Sequence, residues 1–417
     1  MSYFSPLPFC CIFSPLCFPL FSLSSTSNHI HPPRSLNLAM GNDDREKKKL
    51  ISIVGDAFAD VYCYLDDNTP EVRIGGDARL TQPMTTVAGG SGVNTSTHLQ
   101  SLINNFGIDG GSYQVNLQTV INENDQYGAI LASHSKQHGF NLLNRRVSDF
   151  PSCFFGTQES MQQDVGKSTG HCAVIVARGE RSFMTHLGCI EDFKGSHIID
   201  ESINGSYDLQ HLHVSGYYNI PGFWDGDLKQ KLAEIKQRNK QITVSLVPQH
   251  DATEKWDGGL MDVLEYVDFL ILSEVEAKGI AKYHDSVGQS LFEYAAKFFG
   301  DNCPNVYVVM TLGSDGCCLL HNGVITQFGT IKKHAVDPTG AGDAFAAGFV
   351  FGLMKYMSEE ESTRSITSDA LKMSLSWGCA TGSNCVMVRG ASVPSEKGTI
   401  YQTLQEVRTI NNEVTGV

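Results

Sequence analysis

The segment Asp337-Pro338-Thr339-Gly340-Ala341-Gly342-Asp343 runs directly into Ala344-Phe345-Ala346-Ala347-Gly348-Phe349. Small residues at 340–342 leave backbone N–H groups free to converge on one cavity. The start of a helix adds the positive end of its dipole. Such a place suits the negative charge of a phosphoryl group in transfer. An Asp on the first turn can take the proton of an attacking hydroxyl. The plainer alternative is a glycine-rich turn in which Asp343 only caps the helix. A second glycine-rich stretch, Gly89-Gly90-Ser91-Gly92-Val93-Asn94-Thr95, opens an amphipathic segment over 93–103 with Leu99 and Leu102 on one face.

These stretches need a frame. Residues 51–56 form a short apolar run ending in a turn, which predicts a buried first strand. Residues 62–88 alternate around Gly75-Gly76-Asp77, and residues 170–187 pattern as a hairpin turning at Arg178-Gly179-Glu180. Both are expected to form a small β-lid outside the main sheet, with Arg73, Asp77 and Arg79 guarding its exposed edges. Strand patterns at 115–121, 211–215, 242–247, 267–272 and 306–311 alternate with helix patterns at 127–138, 228–238, 286–299, 343–356 and 368–382. A hairpin starts at 316–320. That alternation predicts an α/β fold: a mainly parallel central sheet covered by helices on both faces. One domain is expected over 48–405, after a leader at 1–47 and before a tail at 406–417.

The 337–343 string closely resembles the signature of the ribokinase (PfkB) family of carbohydrate kinases. The 89–95 string resembles that family's Gly-Gly-x-x-x-Asn substrate motif. Thr311-Leu312-Gly313-Ser314-Asp315-Gly316 resembles its nucleotide-side turn, Asp125-Gln126-Tyr127-Gly128 its Asp-x-x-Gly, and Val388-Arg389-Gly390-Ala391 its C-terminal loop. The resemblance covers most of residues 50–395 and implies a ribokinase-like three-layer α/β/α architecture. It implies Asp343 as general base, with Gly340, Ala341 and Gly342 as the anion hole. It assigns substrate hydroxyls to Asp60, Gly89, Gly90 and Asn94, and the nucleotide to Ser273, Thr311, Gly313 and Gly316. Glu276 would hold Mg²⁺ through water. Asp337 and Thr339, with carbonyls near Cys385 and Gly390, match the place of a monovalent cation such as K⁺. One departure stands out: Ser273 occupies the position of the usual Asn in Asn-x-x-Glu, which puts Mg²⁺ and phosphate affinity in question.

The implied activity is ATP-dependent phosphorylation of an alcohol group, most simply on a sugar or sugar acid. A nucleoside remains the alternative. Ser168-Thr169-Gly170-His171-Cys172-Ala173-Val174 and Glu180-Arg181-Ser182-Phe183 are similar to adenosine kinases. Gly75-Gly76-Asp77 and the stretch 244–251 are similar to the sugar-kinase branch. A base would need an apolar slot, which Tyr217, Tyr218 and Phe223 could supply. A third reading is a kinase-like scaffold without catalysis; an intact Asp343 and anion-hole string argue against it.

Composition excludes other classes. The chain has 417 residues, 41% hydrophobic and 18% charged, with a formal net charge of -14. Those values fit a globular protein and disfavour a nucleic-acid partner. No G-x-G-x-x-G follows the first strand, and Gly166-Lys167-Ser168 lacks the first Gly of a P-loop because Met161 stands there. The 12 Cys are scattered with no C-x-x-C, which reads as free buried thiols in a cytoplasmic chain. His211 and His213 lie two apart on one strand face, a metal-pair pattern for which packing is the simpler explanation. Residues 1–33 carry no charged side chain and are interrupted by Pro6, Pro8, Pro15 and Pro19. That pattern fits neither a secretory signal nor a membrane helix. A dispensable leader ahead of Met40 is expected, with organelle targeting by 1–39 as the first alternative and a secretory or membrane signal as the second. No membrane partner is expected, and the protein would be a monomer or a homodimer through the lid.

Overall fold

The computed structural model of the chain describes residues 48–414 apart from 67, 69–71, 73, 147–165, 179, 204–206, 285–287 and 361–362. The leader, Arg73, Met161 and the Gly179 turn lie outside the described residues. The described residues all lie in the unit Lys47–Val417.

Among the described residues the central sheet has nine strands. They are β1 (Lys48–Gly55), β4 (Tyr113–Thr119), β5 (Asn141–Asn144), β8 (Tyr207–Ser215), β9 (Thr243–Val247), β10 (Phe269–Ser273), β11 (Tyr307–Thr311), β12 (Cys317–His321) and β13 (Val324–Phe328). Their spatial order is β13-β12-β11-β10-β9-β8-β1-β4-β5. Seven neighbouring strands, from β11 to β5, pair in parallel; β12 pairs antiparallel with both β11 and β13, so β13 again runs in the direction of the parallel set. The apolar runs of the sequence explain this. On β1, Leu50 and Val54 join one core while Ile51 and Ile53 join the other. Leu270 and Leu272 likewise oppose Phe269 and Ile271 on β10. A strand buried on both faces needs helices on both sides, which parallel connections supply.

On one side lie α3 (Asp227–Arg238), with Leu228, Leu232 and Ile235 inward, and α5 (Leu291–Asn302), with Ala295 and Phe299 inward. The other side carries α1 (Ser91–Phe106), α2 (Gln126–His138), α6 (Ala341–Tyr356), α7 (Ser368–Cys385) and α8 (Lys397–Val414). Two of these helices are long and largely buried, the apolar α6 and the more mixed α7, and glycines let them pack closely. A Cβ at Gly348 would fall 2.4 Å from the Trp377 carbonyl oxygen, and one at Gly352 would fall 2.7 Å from the Ser374 Cα. Helix α8 continues past 405 through residues assigned to the tail. Ile400, Leu404 and Val407 recur at helical spacing and are buried, and Asn411 bonds the backbone of Gly329. Strand β5 carried no sequence signal, because Asn-Leu-Leu-Asn is too short to show a period.

A separate four-stranded sheet forms the lid, in the order β3-β2-β6-β7. Its strands are β2 (Phe58–Tyr64), β3 (Thr85–Gly89), β6 (His171–Ala177) and β7 (Glu180–His186). The lid therefore starts at Phe58 rather than 62, which puts Asp60 on the lid itself. Register places Asp60, Tyr62 and Tyr64 opposite Cys172, Val174 and Val176, and these opposite Thr185, Phe183 and Arg181. All nine side chains share one face. His211 and His213 sit on β8 in the central sheet, where their rings hydrogen-bond Thr243 and Ser245. Lys167 pairs with Asp192 at 2.7 Å. Among the described residues, no helix is long and apolar enough to cross a membrane.

Candidate active site

The C-terminal ends of β1, β8, β9, β10 and β11 deliver their next residues to one edge of the sheet. This is where parallel α/β sheets bind ligands, because helix N-termini gather there. Asp56 follows β1, Gln249 follows β9, Ser273 ends β10 and Thr311 ends β11. Helices α1, α6 and α4 (Glu274–Ile280) begin at the same edge.

Asp343 lies on the first turn of α6 and is 5% exposed. Its Oδ1 accepts hydrogen bonds from Ser91 Oγ at 2.7 Å and Gln249 Nε2 at 2.8 Å. Its Oδ2 accepts from Asn94 Nδ2 at 2.8 Å. Burial pushes the carboxyl up to about 6, against these three donors, which favour the charged form. Asn94 is itself held by Ser392, whose hydroxyl bonds Asn94 Oδ1. Gln249 carries its side chain from a left-handed backbone, φ 62°, an uncommon conformation for a non-glycine residue.

Two further carboxylates surround this centre. Asp56 is fully buried and accepts from the Gly92 N–H at 3.1 Å and from Asn219 Nδ2 at 2.6 Å. Burial outweighs those bonds and lifts it to about 7. Asp60 descends from the lid against Gly89, where a Cβ would come within 2.1 Å of its Oδ2. Burial first, then the charges of Asp56 and Asp343, raise Asp60 to about 7. Gly90 has φ 88°, and a Cβ there would meet the Phe58 nitrogen at 2.8 Å. Only glycines allow β1, the lid and α1 to meet this tightly.

Two adjoining cavities open beside Asp343. One, of about 220 Å³, is lined by Gln249, Ser273, Glu276, Thr311, Gly340 and Asp343, among others. The other, of about 250 Å³, is lined by Gly313, Gly316, Phe345, Cys379 and Val386, among others. Thr311, Pro338, Ala341 and Gly342 line both. The first is polar and ends on Asp343. The second is an apolar slot with the size of a flat ring system. Ser273 caps α4: its Oγ accepts the Glu276 N–H at 3.3 Å, and Glu276 Oε2 accepts the Ser273 N–H at 2.7 Å. Ser therefore does a job that Asn could also do, fixing the Glu276 carboxylate at the cavity wall. Burial raises the Glu276 carboxyl. A hard carboxylate oxygen facing a polar cavity fits a hydrated Mg²⁺.

Asp337 and Thr339 lie together as the sequence suggested, but their surroundings differ from the expectation. Asp337 Oδ1 accepts the Thr339 N–H at 2.9 Å, and Oδ2 accepts the Gly390 N–H at 3.0 Å. The same Oδ1 is paired with Arg181 of lid strand β7 at 2.8 Å. Tyr217, Tyr218 and Phe223 do not form a slot beside Asp343. They are buried in the core, and the Tyr217 hydroxyl donates to the Gly258 carbonyl. Ser91, Gln249, Asp56 and Asn219 are contacts that sequence reasoning missed. Ser91 was visible only as a residue between glycines, and Gln249 only as part of the stretch 244–251, with no role of its own.

A sequence profile described as the pfkB family carbohydrate kinases matches residues 158–397, more than half of the chain. The chain belongs to this family. Among curated relatives, this family member is 26% identical over 226 residues to adenosine kinase 2 of Arabidopsis thaliana. The match covers 50% of this chain and 62% of that one, so it spans under two thirds of the relative. Adenosine kinase of Dictyostelium discoideum is 25% identical over 250 residues, 58% of this chain and 69% of the other. The fold matches that of ribokinase from Giardia lamblia, with a TM-score of 0.65 at 19% identity, covering 87% of this chain and 99% of that one. Adenosine kinase from Sinorhizobium meliloti gives 0.61 at 19% identity, covering 86% and 99%. The architecture is thus the three-layer fold with a β-lid that the motifs implied.

The raised carboxyls of Asp56, Asp60 and Asp343 make a pH test. A carboxyl whose folded pKa lies above its unfolded value near 4 binds its proton more tightly when folded. Its contribution to stability is complete at low pH and is lost as pH rises through about 7 for Asp56 and Asp60, and about 6 for Asp343. Replacing Asp60 by Asn should therefore raise the melting temperature at pH 8 more than at pH 5. An equal shift at both pH values would contradict the burial of that charge.

Proposed function

We propose that the protein is an ATP-dependent phosphotransferase that phosphorylates an alcohol group of a sugar or sugar acid. The observation that carries the reading is the buried Asp343 carboxylate at the N-terminus of α6. It stands at the junction of the polar cavity and the acceptor-side groups Asn94, Asp56 and Asp60.

The apolar slot beside Gly313 and Gly316 would take the adenine. The triphosphate would then lie along Thr311 towards the glycine turn. Backbone N–H groups at 340–342 and the α6 dipole would stabilise charge on the transferred phosphoryl group. Mg²⁺, held through water by Glu276, would neutralise charge on the phosphates. Asp343 would accept the proton of the acceptor hydroxyl while Asn94, Ser91 and Gln249 hold its carboxylate in place. The lid, bearing Asp60, would grip further hydroxyls and exclude water.

The acceptor side favours a polyol. Carboxylates and amides surround it, while Tyr217, Tyr218 and Phe223, the aromatic residues expected to stack a base, are in the core. A nucleoside remains the second reading, favoured by the adenosine kinases among the relatives. ATP consumption measured across a panel of pentoses, hexoses, sugar acids and nucleosides decides between them. Turnover is expected on a sugar or sugar acid; turnover on nucleosides alone would overturn the acceptor class.

A further inference from the structure

The family resemblance places a monovalent cation beside the anion hole, with Asp337 and Thr339 among its ligands. The residues here do not fit that ion. Asp337 is 3% exposed, and both of its carboxylate oxygens already have partners. One partner is itself a cation: the Arg181 guanidinium, whose side chain is 11% exposed. An ion placed beside Asp337 would stand against a like charge in a site shielded from water. Next to it, the buried Thr339 hydroxyl faces the Tyr62 hydroxyl of the lid.

Arg181 comes to this place by strand register. Tyr64, Val176 and Arg181 lie in one row across β2, β6 and β7, on the lid face that also carries Asp60 and Tyr62. The same row is clamped from the body, because the Arg389 guanidinium sits 5.5 Å from the Tyr64 ring centre. The lid face thus bears directly on the loops 337–341 and 389–391 that shape the glycine turn.

We propose that Arg181 supplies, from the lid, the positive charge that a monovalent cation would supply beside the anion hole. Resting on the phosphotransferase reading, this makes Arg181 a positioning residue. It fixes Asp337, which orders the Thr339 and Gly390 backbones and so the turn at 340–342. Nucleotide binding then needs no K⁺, and the lid position and the anion hole are set together.

The test compares wild type, Arg181→Ala and Arg181→Lys in buffers containing K⁺ or choline at equal ionic strength. Melting temperature and the affinity for a non-hydrolysable ATP analogue with Mg²⁺ are both read. The wild type is expected to show no difference between the two cations in either measurement. Arg181→Ala should lose about 10-fold in nucleotide affinity in choline, the scale of one charge-assisted hydrogen bond. K⁺ or guanidinium should restore both its affinity and its melting temperature, and Arg181→Lys should keep most of both. A wild type stabilised by K⁺ over choline overturns the proposal, as does an Arg181→Ala protein indifferent to K⁺ and guanidinium. Should Arg181→Ala fail to fold, the wild-type comparison still decides. If no form binds nucleotide, the phosphotransferase reading fails, and the melting temperatures still test the cation replacement.

Discussion

Replacing Asp343 by Asn is expected to leave the protein folded and to lower turnover by about 10²–10⁴-fold, the range for loss of a general base. The fold should survive because the neighbours can adapt. An amide nitrogen at the Oδ1 position would face Ser91 and Gln249. The serine hydroxyl can turn to accept, and the Gln249 amide can flip to offer its oxygen. The Oδ2 position stays an oxygen and keeps its bond from Asn94. What is lost is only the capacity to take a proton. The wild type should also gain activity with a midpoint near pH 6, where burial places the Asp343 carboxyl. A folded Asp343→Asn protein with near-wild-type turnover on any acceptor would remove the base from the mechanism.

The glycine turn offers a second large effect, in which two neighbouring glycines behave in opposite ways. Gly342 has nothing within 4 Å of an added Cβ. It sits inside the first turn of α6, where alanine is favoured over glycine by about 0.5–1 kcal/mol. Gly342→Ala should therefore melt at the same temperature or slightly higher. Its new methyl group would nevertheless project into the cavity at the end of the phosphate path. Displacing the transferred group from its N–H donors should reduce kcat by about 10²–10³-fold. Gly340 is different: it has φ 76°, and an added Cβ would fall 2.6 Å from the Ala391 Cβ. Gly340→Ala should cost about 2–4 kcal/mol of stability from backbone strain and overpacking together. Thermal unfolding and steady-state kinetics on both variants check the contrast. A fully active Gly342→Ala enzyme would show that the transferred phosphoryl group does not pass over this turn.

Much of the framework was legible in the amino-acid order because it rests on local rules. Apolar runs of five or six residues bounded by turns could only be strands buried on both faces. Their alternation with amphipathic segments required a parallel sheet between helices. The strings at 337–343, 89–95 and 311–316 showed where the backbone must bend sharply, because glycine spacing is a local property. Asp343 could be named from its place at a helix start just after such a bend, and Asn94 from the resemblance of 89–95 to the family's substrate motif.

The tertiary structure decided what depends on distant segments meeting. Asp343 is held by Ser91, Asn94 and Gln249, which lie 252, 249 and 94 residues away in the chain. Gln249 lies in the stretch 244–251, which carries only a family likeness; its position after β9 brings it over the site. The aromatic residues at 217, 218 and 223 had the composition of a binding slot, but packing against α3 and the neighbouring loops put them in the core. Asp60 reads as a residue after the first strand, whereas its pairing with Cys172 makes it part of the lid. The pairing of Arg181 with Asp337 joins residues 156 positions apart by sequence number, through the register of a sheet that neither local pattern could reveal. Chain order carries backbone geometry because that is settled within a turn or two. Which charges share a cavity is settled by long-range packing and by the cost of burying a carboxylate without a partner.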